Sequence, residues 1–134
     1  MILSFDIGIK NLAYCLMYKD DNIDSTNNIK IIDWGIIQLI EDGVKCKGVP
    51  LNTITDVLYT KLQDIFIDSD ITEVLLENQP VLKNPVMKSI QMIIYSYFLI
   101  KGVSNSNSKI DKIEMINARN KLKAYDGDNI ECDI

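Results

Sequence analysis

The chain has 134 residues and carries 14 Lys and Arg against 19 Asp and Glu, a net charge of −5. That length fits one domain, and that charge excludes a chain that is basic overall and binds nucleic acid by charge alone. With 47% hydrophobic and 25% charged residues, it has the composition of a packed globular core.

The sequence contains no histidine, which rules out histidine-dependent triads and histidine general bases. Cys15, Cys46 and Cys132 share no metal-ligand spacing, so a zinc site is not expected either. Met1 leads directly into a strand-like run with no secretory signal, and the cysteines read as reduced thiols. An intracellular protein is the expectation. The longest apolar run, Ile90 to Ile100, contains Gln91 and Ser96 and is too short to span a bilayer, so no membrane partner is expected.

Ile2 to Ile9 is nearly continuous in apolar residues, as in a central strand covered on both faces. Gly8 offers backbone freedom and close approach. Lys10 and Asn11 turn the chain, and Leu12 to Tyr18 returns as an antiparallel strand. Lys19 to Asn28 is polar loop chemistry, and Lys30 to Ile40 is a third strand, completing a meander. After a Gly- and Lys-containing connection, Asn52 or Thr53 can cap a helix over Thr53 to Ile67, whose apolar positions recur with a period near 3.6. Asp68 to Asp70 ends it.

Thr72 to Glu77 is a short apolar strand. Pro80 and Pro85 break the segment that follows, and Val86 to Lys101 reads as a second, largely apolar helix. Gly102 to Lys109 is a loop, Lys112 to Ile116 a fifth strand, and Asn117 to Ala124 the start of a further helix. The tail from Tyr125 to Ile134 has turn signals only. The order β-β-β-α-β-α-β predicts an α/β fold: a mixed five-stranded sheet, three strands in an antiparallel meander and the rest parallel, with helices on its faces. In the familiar version of this topology strands one and four are neighbours.

That neighbourhood matters because each of these strands carries a carboxylate in apolar surroundings, Asp6 in FDIG and Glu77 in LLENQP. Taken alone, Asp6 also reads as a strand-end aspartate capping a turn, and Glu77 as a solvent-facing last strand residue. Together they end adjacent strands, and two such carboxylates repel unless a cation bridges them. Oxygen ligands without Cys or His suit Mg²⁺ or Mn²⁺. Charge is also uneven along the chain. Lys83, Lys88, Lys101, Lys109, Lys112, Arg119, Lys121 and Lys123 face only Asp111 and Glu114 in their segment, which reads either as a polyanion contact or as solvated lysines.

FDIGIKNLAYCL, VLLENQP, NPVMKSIQ and NARNKLKAYDG, in that order, resemble the Holliday-junction resolvases of poxviruses, other large DNA viruses and fungal mitochondria, relatives of RuvC within the ribonuclease H-like superfamily. The resemblance runs from Met1 to about Cys132. It implies a single ribonuclease H-like domain over 1–134 and a Mg²⁺- or Mn²⁺-dependent, structure-selective endonuclease. Such an enzyme resolves four-way DNA junctions by paired symmetric hydrolysis, as a homodimer in recombination and repair, with no small-molecule cofactor. Asp6 matches the family's first-strand metal-binding aspartate and Glu77 its fourth-strand glutamate. Lys10, Asn11, Gln79, Lys83, Lys121 and Lys123 flank these motifs as candidate DNA contacts. A viral source would place it in the viral factory or host cytoplasm.

The family's two further aspartates, on a C-terminal helix, have no match here. Asp126, Asp128, Glu131 and Asp133 lie in the turn-like tail and are not assigned the role. The chain therefore reads as the front portion of a resolvase, with weak metal binding, low or no cleavage, and an apolar patch that favours self-association. Two other functions compete: a junction-binding or dimerising module without catalysis, and an actin-like ATPase half, since DIGIKN also resembles that group's phosphate loop.

Overall fold

The computed structural model describes residues 1–19, 29–66 and 70–117. The polar loop expected after Lys19, the residues expected to close the first helix, and everything expected after Asn117 fall wholly or largely outside them.

Five strands form one sheet: β1 (Ile2–Asp6), β2 (Asn11–Lys19), β3 (Ile29–Gln38), β4 (Glu73–Glu77) and β5 (Lys112–Ile116). Their order is β3-β2-β1-β4-β5. The first three are antiparallel, while β1–β4 and β4–β5 are parallel. The mixed sheet and the pairing of β1 with β4 match the sequence expectation. The β2–β3 ladder shifts register between Leu16 and Met17, a bulge that gives β3 an extra residue and local twist.

Helix α1 (Leu51–Phe66) buries Ile54, Leu58 and Leu62, a four-residue spacing that keeps one stripe against the sheet. It starts at Leu51, so Asn52 and Thr53 lie inside its first turn rather than capping it. Helix α2 (Pro85–Phe98) starts one residue before the predicted Val86 and ends three before the predicted Lys101. Asn84, in an extended conformation, accepts a hydrogen bond from the Met87 amide, and Pro85 follows at the first helical position, where its missing N–H costs nothing. The helix continues into a π-helical segment, Leu99–Val103, closed by the Ser104 amide donating to the Leu99 carbonyl at 2.9 Å.

Both helices pack on the same face of the sheet. Both crossovers, β3 to β4 and β4 to β5, advance in one direction across the strand order, so their right-handedness places both helices on one side. Leu3, Phe5, Val74 and Leu76 supply the sheet side of the core, and Ile54, Leu58, Leu62, Ile90 and Ile94 the helix side. Phe5 sits among Phe66 and Phe98 in edge and tilted ring contacts. On the opposite face, Trp34 of β3 is 78% exposed and Ile31 and Ile36 are likewise open to solvent.

Candidate functional site

The parallel register pairs Leu3 with Val74 and Phe5 with Leu76. Those four side chains point into the core, so the alternation of a strand sends the next residues, Asp6 and Glu77, to the opposite face. One step beyond the Phe5–Leu76 pair, Asp6 and Glu77 close the C-terminal ends of adjacent strands, whose backbones run about 4.8 Å apart. Asp6 is exposed and Glu77 half-buried. A small cavity of about 130 Å³ opens beside Glu77, lined also by Ser4, Leu75, Ile116 and Asn117 among others. A larger cavity, about 390 Å³, lies at the other pole of the sheet, around Phe66, Asp70, Tyr97 and Lys109, away from this pair.

Among the described residues no three His, Cys, Asp or Glu side chains cluster as metal ligands, so the carboxylate pair is the site's acidic content there.

The remaining predicted residues are differently placed. Lys10 forms an ion pair with Asp42 at 2.8 Å. The hydrogen bond to Asp42 raises the Lys10 ammonium above its ordinary value and lowers the Asp42 carboxyl below its own. Asn11, exposed, opens β2 opposite Gln38. Lys83 is exposed in the turn before α2. Gln79, expected at the DNA surface, is buried instead, with only 8% of its surface open. It sits under the start of α2, and its amide donates to Gln91 Oε1 at 2.8 Å. Lys121 and Lys123 lie outside the described residues.

Two residues join this region that were not assigned to it from sequence. Lys88 donates from Nζ to Asn78 Oδ1 at 2.8 Å, next to Glu77 in the chain. Gln91, wholly buried, reaches Gln79, Asn78 and Met115. Its signal was in the sequence: a glutamine on the stripe that also carries Ile90, Ile94 and Phe98. A polar residue there must find polar partners.

No protein-family model matches the chain. It is 38% identical over 73 residues to an uncharacterised protein of Acanthamoeba polyphaga mimivirus, covering 53% of this chain and 18% of that one. Among solved structures, fowlpox virus resolvase in complex with Holliday-junction DNA superposes with a TM-score of 0.54 at 26% identity, over 87% of this chain and 61% of the resolvase. The yeast mitochondrial Holliday-junction resolvase gives a TM-score of 0.62 at 16% identity, over 91% of this chain and 54% of that one. RuvC of Thermus thermophilus gives 0.61 at 6% identity, over 91% and 68%, a likeness of fold alone. The chain thus spans 61% of the fowlpox enzyme in that complex and 54% of the yeast enzyme. The chain therefore shares the ribonuclease H-like fold of these resolvases and is similar in sequence to the poxvirus enzyme.

Proposed function

We propose that this chain carries the nucleolytic centre of a Mg²⁺- or Mn²⁺-dependent endonuclease that resolves four-way DNA junctions. The observation that carries the reading is the placement of Asp6 and Glu77 side by side on parallel strands, on the face away from both helices. Mg²⁺ takes one or two protein carboxylates and completes its shell with water and substrate phosphate, so this donor set fits one ion. Bound there, the ion supplies Lewis acidity to a phosphodiester and lowers the pKa of its water.

The chain's own residues hold and orient. Asp6 and Glu77 present carboxylate oxygens from the ends of two strands that are paired up to the preceding residues, Phe5 and Leu76. Lys83 and Lys88, near the β4 end, meet the phosphate backbone; Lys10 and Asn11 do so from the β1–β2 turn, and Lys121 and Lys123 are assigned the same role. Such contacts set register on the duplex without reading sequence. Lys10 exchanges Asp42 for phosphate in this reading, a small loss because an exposed ion pair contributes little. Buried Gln79 is left out of this surface. A homodimer, one subunit for each nicked strand, and an intracellular location belong to the same proposal.

The test is cleavage of a synthetic four-way junction with Mg²⁺ or Mn²⁺. Symmetric nicks that disappear in Asp6→Asn support the assignment, and equal cleavage by Asp6→Asn refutes it. A second reading, a junction-binding module without catalysis, rests on there being no cluster of three or more His, Cys, Asp or Glu side chains among the described residues. It predicts a steeply salt-dependent band shift on junctions with no cleavage.

A further inference from the structure

The segment just after Glu77 is held from two sides. The Asn78 amide donates to the Ile116 carbonyl at 2.8 Å, fastening the end of β4 to β5. From the helix side, Gln91 Oε1 accepts the Gln79 amide at 2.8 Å, while Gln91 Nε2 donates to Asn78 Oδ1 at 3.3 Å and to the Met115 sulfur at 3.0 Å. Lys88 Nζ donates to the same Asn78 oxygen at 2.8 Å. Gln91 is wholly buried, and among the described residues no buried side-chain nitrogen or oxygen lacks a hydrogen-bond partner.

An amide is the side chain that suits this place. It needs one acceptor for a backbone N–H and donors for a side-chain oxygen and a thioether, all at a single buried point. A hydrocarbon of the same size fills the volume and leaves the Gln79 amide unpaired. A carboxylate lacks the donors when ionised. Strand ends fray unless their backbone groups are paired, and Glu77 is the last residue of its strand.

We infer that Gln91, acting through Asn78 and Gln79, is a positioning residue that locks the end of β4 and thereby holds the Glu77 carboxylate beside Asp6 for cation binding. The inference rests on the reading of Asp6 and Glu77 as metal ligands. It is independent of whether the chain cleaves DNA. Side-chain direction alternates along a strand, so Glu77 and Asn78 leave the backbone on opposite faces. A clamp on Asn78 from the helix face therefore steadies Glu77 on the other face without obstructing it.

The test measures Mn²⁺ affinity by calorimetry and backbone amide exchange by NMR, on the full chain and at a temperature where each variant has wild-type circular dichroism. Gln91→Met should weaken Mn²⁺ binding about tenfold, equivalent to about 1.4 kcal/mol, and raise exchange at the Gln79 amide at least as much. Asn78→Ala shortens an exposed side chain and removes no apolar core residue, so it decides the matter if Gln91→Met fails to fold. It should weaken Mn²⁺ binding severalfold. A purely structural role for Gln91 would lower thermal stability yet leave the affinity of the folded protein unchanged. The inference is overturned if the folded variants bind Mn²⁺ as the wild type does while Asp6→Asn loses binding. Wild-type protein that takes up no Mn²⁺ overturns the metal reading itself, and the positioning role with it.

Discussion

A Cβ placed on Gly8 would run into the carbonyl of Asn11, a backbone atom with no freedom to step aside. Among the described residues the glycines with positive φ are Gly43 and Gly48, and Gly8 is not one of them. The sequence offered two reasons for a glycine after Asp6, and the close approach is the one the structure uses. Gly8→Ala should therefore lower stability by about 1–3 kcal/mol, the usual range for forced overpacking, read as a lower urea midpoint. Tyr14 gives a residue-scale prediction of a different kind. Burial, and then a hydrogen bond from its hydroxyl to Asp33 Oδ2 at 3.2 Å, raise the Tyr14 phenol above its ordinary value. The folded state thus favours the neutral phenol. Its contribution is full below the ordinary tyrosine range and is lost as pH rises through the raised value. Urea midpoints measured between pH 8 and 12 should fall on the alkaline side, and Tyr14→Phe should flatten that fall.

At the scale of elements, the agreement between sequence and structure follows what periodicity can report. Apolar spacing marks buried positions, so Ile54, Leu58 and Leu62 declared α1, while its exposed first turn from Leu51 to Thr53 carried no signal. The five strands were legible for the same reason, β5 at both ends and the others to within three residues. The π-helical segment after α2 was not legible, because a change from four- to five-residue hydrogen bonding leaves no mark on a 3.6-residue pattern. It coincides with Gly102, where a Cβ would press on the Ile110 side chain. At the candidate site, Asp6 and Glu77 were legible as charges in apolar strands. Gln79 was misread because its burial depends on Gln91, thirteen positions beyond Asn78 and on another element. The α2 start offers a clean test of local encoding. Asn84→Ala removes the acceptor for the Met87 amide and should destabilise by about 1 kcal/mol, as other N-cap losses do. Since α2 carries Lys88 and Gln91, the same variant should also raise amide exchange at Gln79.

At the scale of the molecule, one face of the sheet carries the helices and the other carries the carboxylate pair, with apolar residues toward the β3 edge. The edge strand β3 is ten residues long, and Ile29, Ile31, Ile32, Trp34 and Ile36 are each more than half exposed. A long apolar edge with unpaired backbone groups is a pairing template, which natural sheets blunt with charges, bulges or short edge strands. Here Lys30, Asp33 and the bulge opposite Leu16 and Met17 provide some of that protection, but Ile31, Trp34 and Ile36 remain open. The expected outcome is concentration-dependent self-association through this edge. Sedimentation velocity should show larger species as concentration rises, and Trp34 emission should shift to the blue with them, since it is the chain's single tryptophan and loses water on contact. Ile31→Lys places a charge among the exposed apolar residues of the edge and should raise the concentration needed for association about tenfold, a change of about 1.4 kcal/mol, without altering Mn²⁺ binding at Asp6 and Glu77. If Ile31→Lys associates as the wild type does and Trp34 emission stays constant, the contact lies on another surface and β3 is not the interface.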